Sequence, residues 1–552
     1  MPKASILSSI FHLPSSKKKS LRLILFLFFL VLASCSQQSK RADLVVITGA
    51  EPESLDPVIV TGQVDQNIVS ELFEGLTRFN KAGLSEPGIA ASWDVSADHR
   101  VYTFHLRLDA HWSNGEPITA HDVMASWKRV LMPATGSVNS YQLFVIEGAE
   151  EFVAGKIDFS KVGLEALDER TLKVTLHHPI PYFIDLCALP VFSIVPIKLI
   201  DQVGDDWIKP QHILTNGPYR LGDWRINDKI RLERNPCYWD REHVALQTID
   251  LLPISQANVA YNFYASGEAD IIFGKAFPPA LIDELKKRDD FHSACFLGTE
   301  FLRFNCMKSP FNDPHVRQAF SLCVDQQFLT KKIARAGEIP AYSFVPPGVP
   351  NYHSPRMTQY DPVKARQLLA KAGYPGGKNF PLVNYLYNEG QLTEGIAVEL
   401  QSIWKKELGV SVLLARQEWK VYLASLNQLD YSIGRSSWVG DYPDPNTFLD
   451  IFTSVSGNNR TGWRSESYDY LIGQAGTIFN PEERFHLFQQ AEQLLVQDQA
   501  VIVPLFYYAG VQIYDPRKWG GIEENVLDKH PLWQVYRTCQ RSVDSSKIED
   551  GR

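Results

Sequence analysis

Residues 101–131 read VYTFHLRLDAHWSNGEPITAHDVMASWKRVL. Val101 to Leu106 alternates apolar and polar residues, the pattern of a half-buried strand. Ala120 to Leu131 repeats its apolar residues at helical spacing, with Thr119 or His121 near the start. The joining loop, Trp112-Ser113-Asn114-Gly115-Glu116-Pro117, is polar, aromatic and rich in turn residues. Strand and helix therefore follow each other across one short loop.

The same habit recurs on both sides. Leu44 to Ile47, Thr171 to Leu176, Leu382 to Tyr387, Val410 to Leu414 and Val501 to Phe506 read as strands. Asn67 to Leu76, Pro314 to Cys323, Pro362 to Ala372, Leu392 to Glu407 and 481–498 read as helices, and those from Pro314 and Pro362 open with proline at an early position. Gly373 fits a helix stop. Interleaved strands and helices predict the α/β class. No short repeat supports a solenoid.

The chain has 552 residues, 45 % hydrophobic and 21 % charged. That exceeds what one core serves and predicts two or three subdomains. Residues 17–36 read KKKSLRLILFLFFLVLASCS. A basic start, an apolar run from Leu23 to Ala33 and small residues before Cys35 have the order of a signal peptide. The run is short of the ~20 residues a spanning helix needs. Its ending resembles a bacterial lipobox, which implies lipidation at Cys35. We therefore expect a leader over 1–34, a lipid-bearing tether over 35–43, and a body outside the cytoplasm.

Net charge is −8; the first 34 residues hold five Lys/Arg and no acid, which leaves −13 for the rest. An acidic body argues against nucleic-acid binding. No later apolar run approaches the length of a membrane helix. The six other cysteines form no CxxC pair and fit no zinc spacing, so metal ligation is not expected. There is no HExxH helix and no GxSxG elbow. Gly373 to Lys378 lacks the residues of a phosphate loop and reads as a surface turn. An enzyme is not expected, and no cofactor is implied. Aromatic, glycine-rich polar loops remain, above all Trp438-Val439-Gly440-Asp441-Tyr442-Pro443-Asp444-Pro445 beside a strand candidate, Asp430 to Arg435. Such a loop can supply an aromatic wall and an anion for a ligand cation.

At these residues the chain resembles the extracytoplasmic oligopeptide- and dipeptide-binding proteins of ABC importers. The matching stretches are AEPESLDP from Ala50, LFEGL from Leu72, WSNGEPITAHDVMASWKRVL from Trp112, NGPYRL from Asn216 and RNPCYWD from Arg234. They continue with SPFNDPHVRQAF from Ser309, QEWKVYL from Gln417 and GDYPDPNTFLD from Gly440. The resemblance implies a two-lobed fold with a hinged cleft and an inserted domain. Lobe 1 would take 44–65, 195–295 and 505–540, the insertion 66–194 and lobe 2 296–504.

It also implies ligand-contacting residues. Asp441 would bind a peptide α-ammonium, with Trp438 and Tyr442 beside it. Arg435 would help neutralise the peptide carboxylate. Glu51, Tyr141, Tyr507 and Tyr508 would reach the ligand as well. Two family positions for further basic residues hold Thr393 and Leu426, which leaves peptide length and carboxylate anchoring open, and a disulfide position pair holds Gly298 and Val439, so that bridge is not expected here. Short peptides, a permease and an ATPase would be the partners of a monomer tethered to the membrane at Cys35, on the periplasmic side of the cell envelope. A cell-wall (murein) peptide is the alternative ligand; an envelope enzyme or adhesin on the same scaffold is the alternative class.

Overall fold

The computed structural model describes residues 41–274 and 277–538; Cys35 and the leader lie outside them. From Leu44 the chain enters β1 (Leu44–Ile47), whose four residues are all buried. A strand covered on both faces needs no alternation, which explains the unbroken LVVI run. Helix α1 spans Gln63–Leu72, earlier than the expected 67–76. Its end has a physical cause. The Leu72 carbonyl accepts from the Asn216 and Gly217 N–H groups at 3.2 and 2.9 Å, and Asn216 Oδ1 accepts from the Glu74 N–H at 2.9 Å. The NGPY turn thus takes the helix's last acceptors and redirects the chain.

An antiparallel sheet follows, ordered β2 (Ala90–Val95), β3 (Val101–Leu106), β5 (Thr171–Thr175), β4 (Leu164–Ala166). Helix α2 (Ala120–Leu131) opens on a capping box of Thr119 and Asp122, the reciprocal arrangement that satisfies two free N–H groups. Trp127 anchors it by donating to the Phe192 carbonyl at 3.0 Å.

The chain then returns to the sheet of β1 with β6 (Tyr219–Arg225), β7 (Lys229–Arg234), β8 (Thr248–Leu252) and β9 (Ile271–Phe273). β1 lies between β8 and β9, parallel to both. Next come β10 (Phe291–Phe304), then α3 (Pro314–Leu322) and α4 (Pro362–Lys371). Asp313 and Asp361 cap these two helices from the residue before each proline. Gly373 has φ +95°, where the predicted stop falls. β11 (Val383–Asn388), α5 (Gln391–Leu408) and β12 (Val412–Gln417) form a parallel β–α–β unit. Helix α6 (Trp419–Asn427) leads into β13 (Ile433–Val439), so Trp438 stands on a strand and not in the loop after it. Helix α7 (Pro481–Gln493) continues in a wider turn over Leu494–Asp498. The final long strand, β14 (Ile502–Tyr514), runs well beyond the expected 501–506.

β10 and β14 join the two halves of one eleven-stranded sheet. At one end β14 pairs with β9, Phe273 opposite Gln512. At the other β10 pairs with β13, Gly298 opposite Val439. These are the two positions expected to lack a bridge; they face each other and hold no cysteine. Between the ends the β10–β14 register breaks from Cys295 to Thr299. There Leu297 donates to the Val526 carbonyl and accepts from the Gly440 N–H, both at 2.7 Å. Among the described residues five cysteines are free thiols, and no helix is long and apolar enough to cross a membrane.

Candidate ligand-binding site

The loop after β13 is tied to the short helix that follows it. Trp438 Nε1–H donates to the Thr447 carbonyl at 2.6 Å, and the Asp441 N–H donates to Thr447 Oγ1 at 3.2 Å. A side chain at Gly440 would meet the Phe448 ring at 2.8 Å, so only glycine lets the loop lie this close. Tyr442 is buried and stacks on Tyr182 of the 66–194 segment, with ring centres 4.7 Å apart and planes at 12°. Asn446 bonds both hydroxyls, at 3.0 Å to Tyr182 and 3.3 Å to Tyr442.

The Asp441 side chain is left almost free by its own half. It accepts one long hydrogen bond, 3.5 Å from Gln142 Nε2. Burial pushes its carboxyl up to about 6, and the charge of Lys529 only partly opposes this. Lys529 is pushed down to about 8 by the same desolvation, against the attraction of Asp441. The charge of Asp441, after burial, also helps to raise the neighbouring Tyr141 phenol to about 12. Residues near 141, 441 and 529 therefore converge on one carboxylate. A carboxylate without a close cation, in a place that disfavours its charge, is poised for a ligand cation.

The other expected residues divide. Arg435 does not stand free in the cleft. Its guanidinium makes a two-point ion pair with Glu300 at 2.6 and 2.5 Å and donates to the Tyr508 hydroxyl at 3.0 Å. Burial opposes its charge, but Glu300 raises its pKa overall. Tyr508 in turn donates to Glu300. This buried triad leaves Arg435 with its charge already matched. Its partner comes from β10 and not from the loop that carries Asp441. Glu51 is also engaged, by Trp224 Nε1 at 2.7 Å and the Asn227 N–H at 3.0 Å. The Tyr507 hydroxyl is spent on Ser343, at 2.7 Å to Oγ and 2.9 Å to the carbonyl. Tyr141 is 46 % exposed, with its phenol beside the Gln142 side chain. Thr393 bonds the Asn388 and Gly390 carbonyls, and Leu426 packs with Leu386, Tyr422 and Tyr431. Sequence reasoning missed Gln142, Tyr182, Glu300 and Lys529; none belongs to a motif, and only the fold brings them together.

A family model for the bacterial extracellular solute-binding proteins, family 5, matches residues 85–460. The chain belongs to that family. It is 37 % identical to the periplasmic oligopeptide-binding protein OppA of Salmonella typhimurium, over 91 % of this chain and 92 % of that one. Among solved structures, a periplasmic oligopeptide-binding protein (OppAIV) from Borrelia burgdorferi superposes with a TM-score of 0.80 at 34 % identity, covering 90 % of this chain and 100 % of that one. The Escherichia coli murein tripeptide binding protein MppA superposes at 0.79 and 33 % identity, covering 90 % and 99 %. As in the rest of the family, the α/β chain is two-lobed.

Proposed function

We propose that this protein is the peptide receptor of an ABC importer. It takes short peptides in the cleft between its lobes and hands them to a permease on the periplasmic side of the membrane, where a lipid on Cys35 tethers it. The observation that carries the reading is the Asp441 carboxylate: half-buried, without an ion-pair partner among the described residues, and approached by Gln142, Tyr141 and Lys529 from distant parts of the chain. The relatives are named for oligopeptides and a murein tripeptide, and both ligands bring an amino group. Trp438, Tyr442 and Tyr141 wall the site. We assign Arg435, Tyr508, Glu51 and Tyr507 to holding the cleft walls. β10 and β14 would act as the hinge, since they are the strands common to both half-sheets.

Calorimetry with a free tripeptide and its N-acetylated form tests the reading. The free form should bind and the acetylated form should lose most of its affinity; equal binding of both would overturn the role of Asp441. A murein peptide is the second reading. It is favoured by Arg435 being occupied by Glu300, which removes one anchor for an ordinary C-terminal carboxylate. Mass spectrometry of the small molecules that co-purify distinguishes the two.

A further inference from the structure

Helix α1 and the segment 528–533 enclose two adjoining cavities that share Asn67, Glu71 and His530 as a wall. Glu71 is 3 % exposed and the His530 side chain 7 %. Glu71 Oε1 accepts from the Leu532 N–H at 2.6 Å and the Trp533 N–H also lies beside the carboxyl, but among the described residues Oε2 has no partner of its own. His530 Nε2 lies 3.1 Å from Asp528 Oδ1 and 2.9 Å from Gln512 Nε2, and its ring stacks on Phe273, with centres 5.1 Å apart; Nδ1 has no partner. Two residues that line this space thus each keep a buried polar atom without a partner among the described residues, a cost that a polar group bound beside them could recover.

The lining says which group. Lys529 borders the same space, its Nζ 4.2 Å from the centre of the Phe79 ring. Among the described residues that ammonium has no hydrogen bond or ion pair of its own. Burial raises the Glu71 carboxyl to about 8, so near neutrality it carries a proton and can donate. The other charged groups of the lining are already matched: Glu74 by Tyr238 and Trp239, Arg78 by Glu86 and Asp240, Asp528 by Gln512 and His530. What remains is an ammonium, a carboxyl O–H and the Asn67 amide, a set that suits a carboxylate. Lys529 lies in the segment that Leu297 ties to the Asp441 loop: the Leu297 N–H donates to the Val526 carbonyl, three residues before Lys529, and the Leu297 carbonyl accepts from the Gly440 N–H, next to Asp441, both at 2.7 Å. Successive Cα atoms are about 3.8 Å apart, so a peptide held by its α-ammonium would bring only its first side chains here.

We propose that this cavity is a subsite for a carboxylate borne by the first or second residue of a bound peptide, with Lys529 as the residue that selects it. The proposal rests on the peptide reading of Asp441. The test is calorimetry of the intact protein with Glu-Ala-Ala, Gln-Ala-Ala, Ala-Glu-Ala, Ala-Gln-Ala and Ala-Ala-Ala. The parent should prefer the glutamate peptide over its glutamine twin by ~10-fold or more at one of the two positions, since a charge-assisted hydrogen bond replaces a neutral one. Lys529→Gln should erase that preference, read as the ratio of glutamate to glutamine peptide affinities within the variant itself, and Lys529→Arg should retain most of it. No preference in the parent, or a preference that survives Lys529→Gln, overturns the subsite while peptide binding stands. Failure of all five peptides to bind overturns the peptide reading itself, and the subsite with it.

Discussion

Replacing Asp441 by asparagine should move stability and affinity in opposite directions. The carboxyl is raised from 3.8 to about 6, chiefly by burial. An acid whose pKa rises on folding binds its proton more tightly in the folded state. The resulting cost is absent below the unfolded value near 3.8, grows as pH climbs, and is complete above about 6. The full displacement corresponds to about 3 kcal/mol at pH 7. Partial solvent access and the loss of the anion that favours Lys529 reduce the net gain from asparagine to about 1 kcal/mol, or roughly 1 °C in a chain of this size. The ligand-free variant should therefore melt slightly higher than the parent at pH 7.5 and match it near pH 4. Peptide affinity should fall, because a bound ammonium would be left buried without its anion. Such a loss is worth about 2–5 kcal/mol, or about 30-fold or more in Kd. Scanning calorimetry at two pH values and titration calorimetry read both effects. A variant that melts lower at pH 7.5 and binds peptide like the parent would show that Asp441 is a structural group and not a ligand anchor.

Arg435→Ala should act mainly on the fold: it strands the Glu300 carboxylate and the Tyr508 hydroxyl, and losing one partner of a buried ion pair costs about 3–5 kcal/mol. Thermal melts should show a clear drop, and free-acid and amidated peptides should lose affinity equally; a larger loss for the free acid would return Arg435 to the ligand. Mass spectrometry of the parent should show a lipid-modified mass that Cys35→Ala lacks, with peptide binding by the purified body unchanged; an unaltered lipidated mass in the variant would exclude Cys35 as the site. Saturating peptide should make the molecule more compact in small-angle scattering, because the lobes close about β10 and β14; superimposable curves in a sample shown to bind would rule out hinge closure.

What the sequence disclosed is what short stretches encode. The α2 helix was readable because its cap and its apolar spacing lie within a dozen residues, and Thr119 needs only Asp122 to complete the box. β1 was readable as a buried run. The end of α1 was not, because its last carbonyl is claimed by Asn216 and Gly217, far along the chain. The site divides in the same way. The Trp438–Tyr442 stretch carries its own signal in aromatics, glycine and proline, so Asp441 could be singled out. The partners of its charges could not. A sequence gives the sign of each side chain but not which opposite charge reaches it first. Arg435 and Glu300 meet only because β10 and β13 pair in one register, Leu302 opposite Arg435. Lys529, in a segment without any motif, is carried to the cleft by the chain's return after β14. The cation expected from the motif is thereby neutralised by Glu300, while Lys529, from elsewhere in the chain, keeps no ion pair among the described residues. Anion preference in this cleft should therefore follow Lys529 and the cavity behind it, and be nearly blind to the arginine that the motif would have selected.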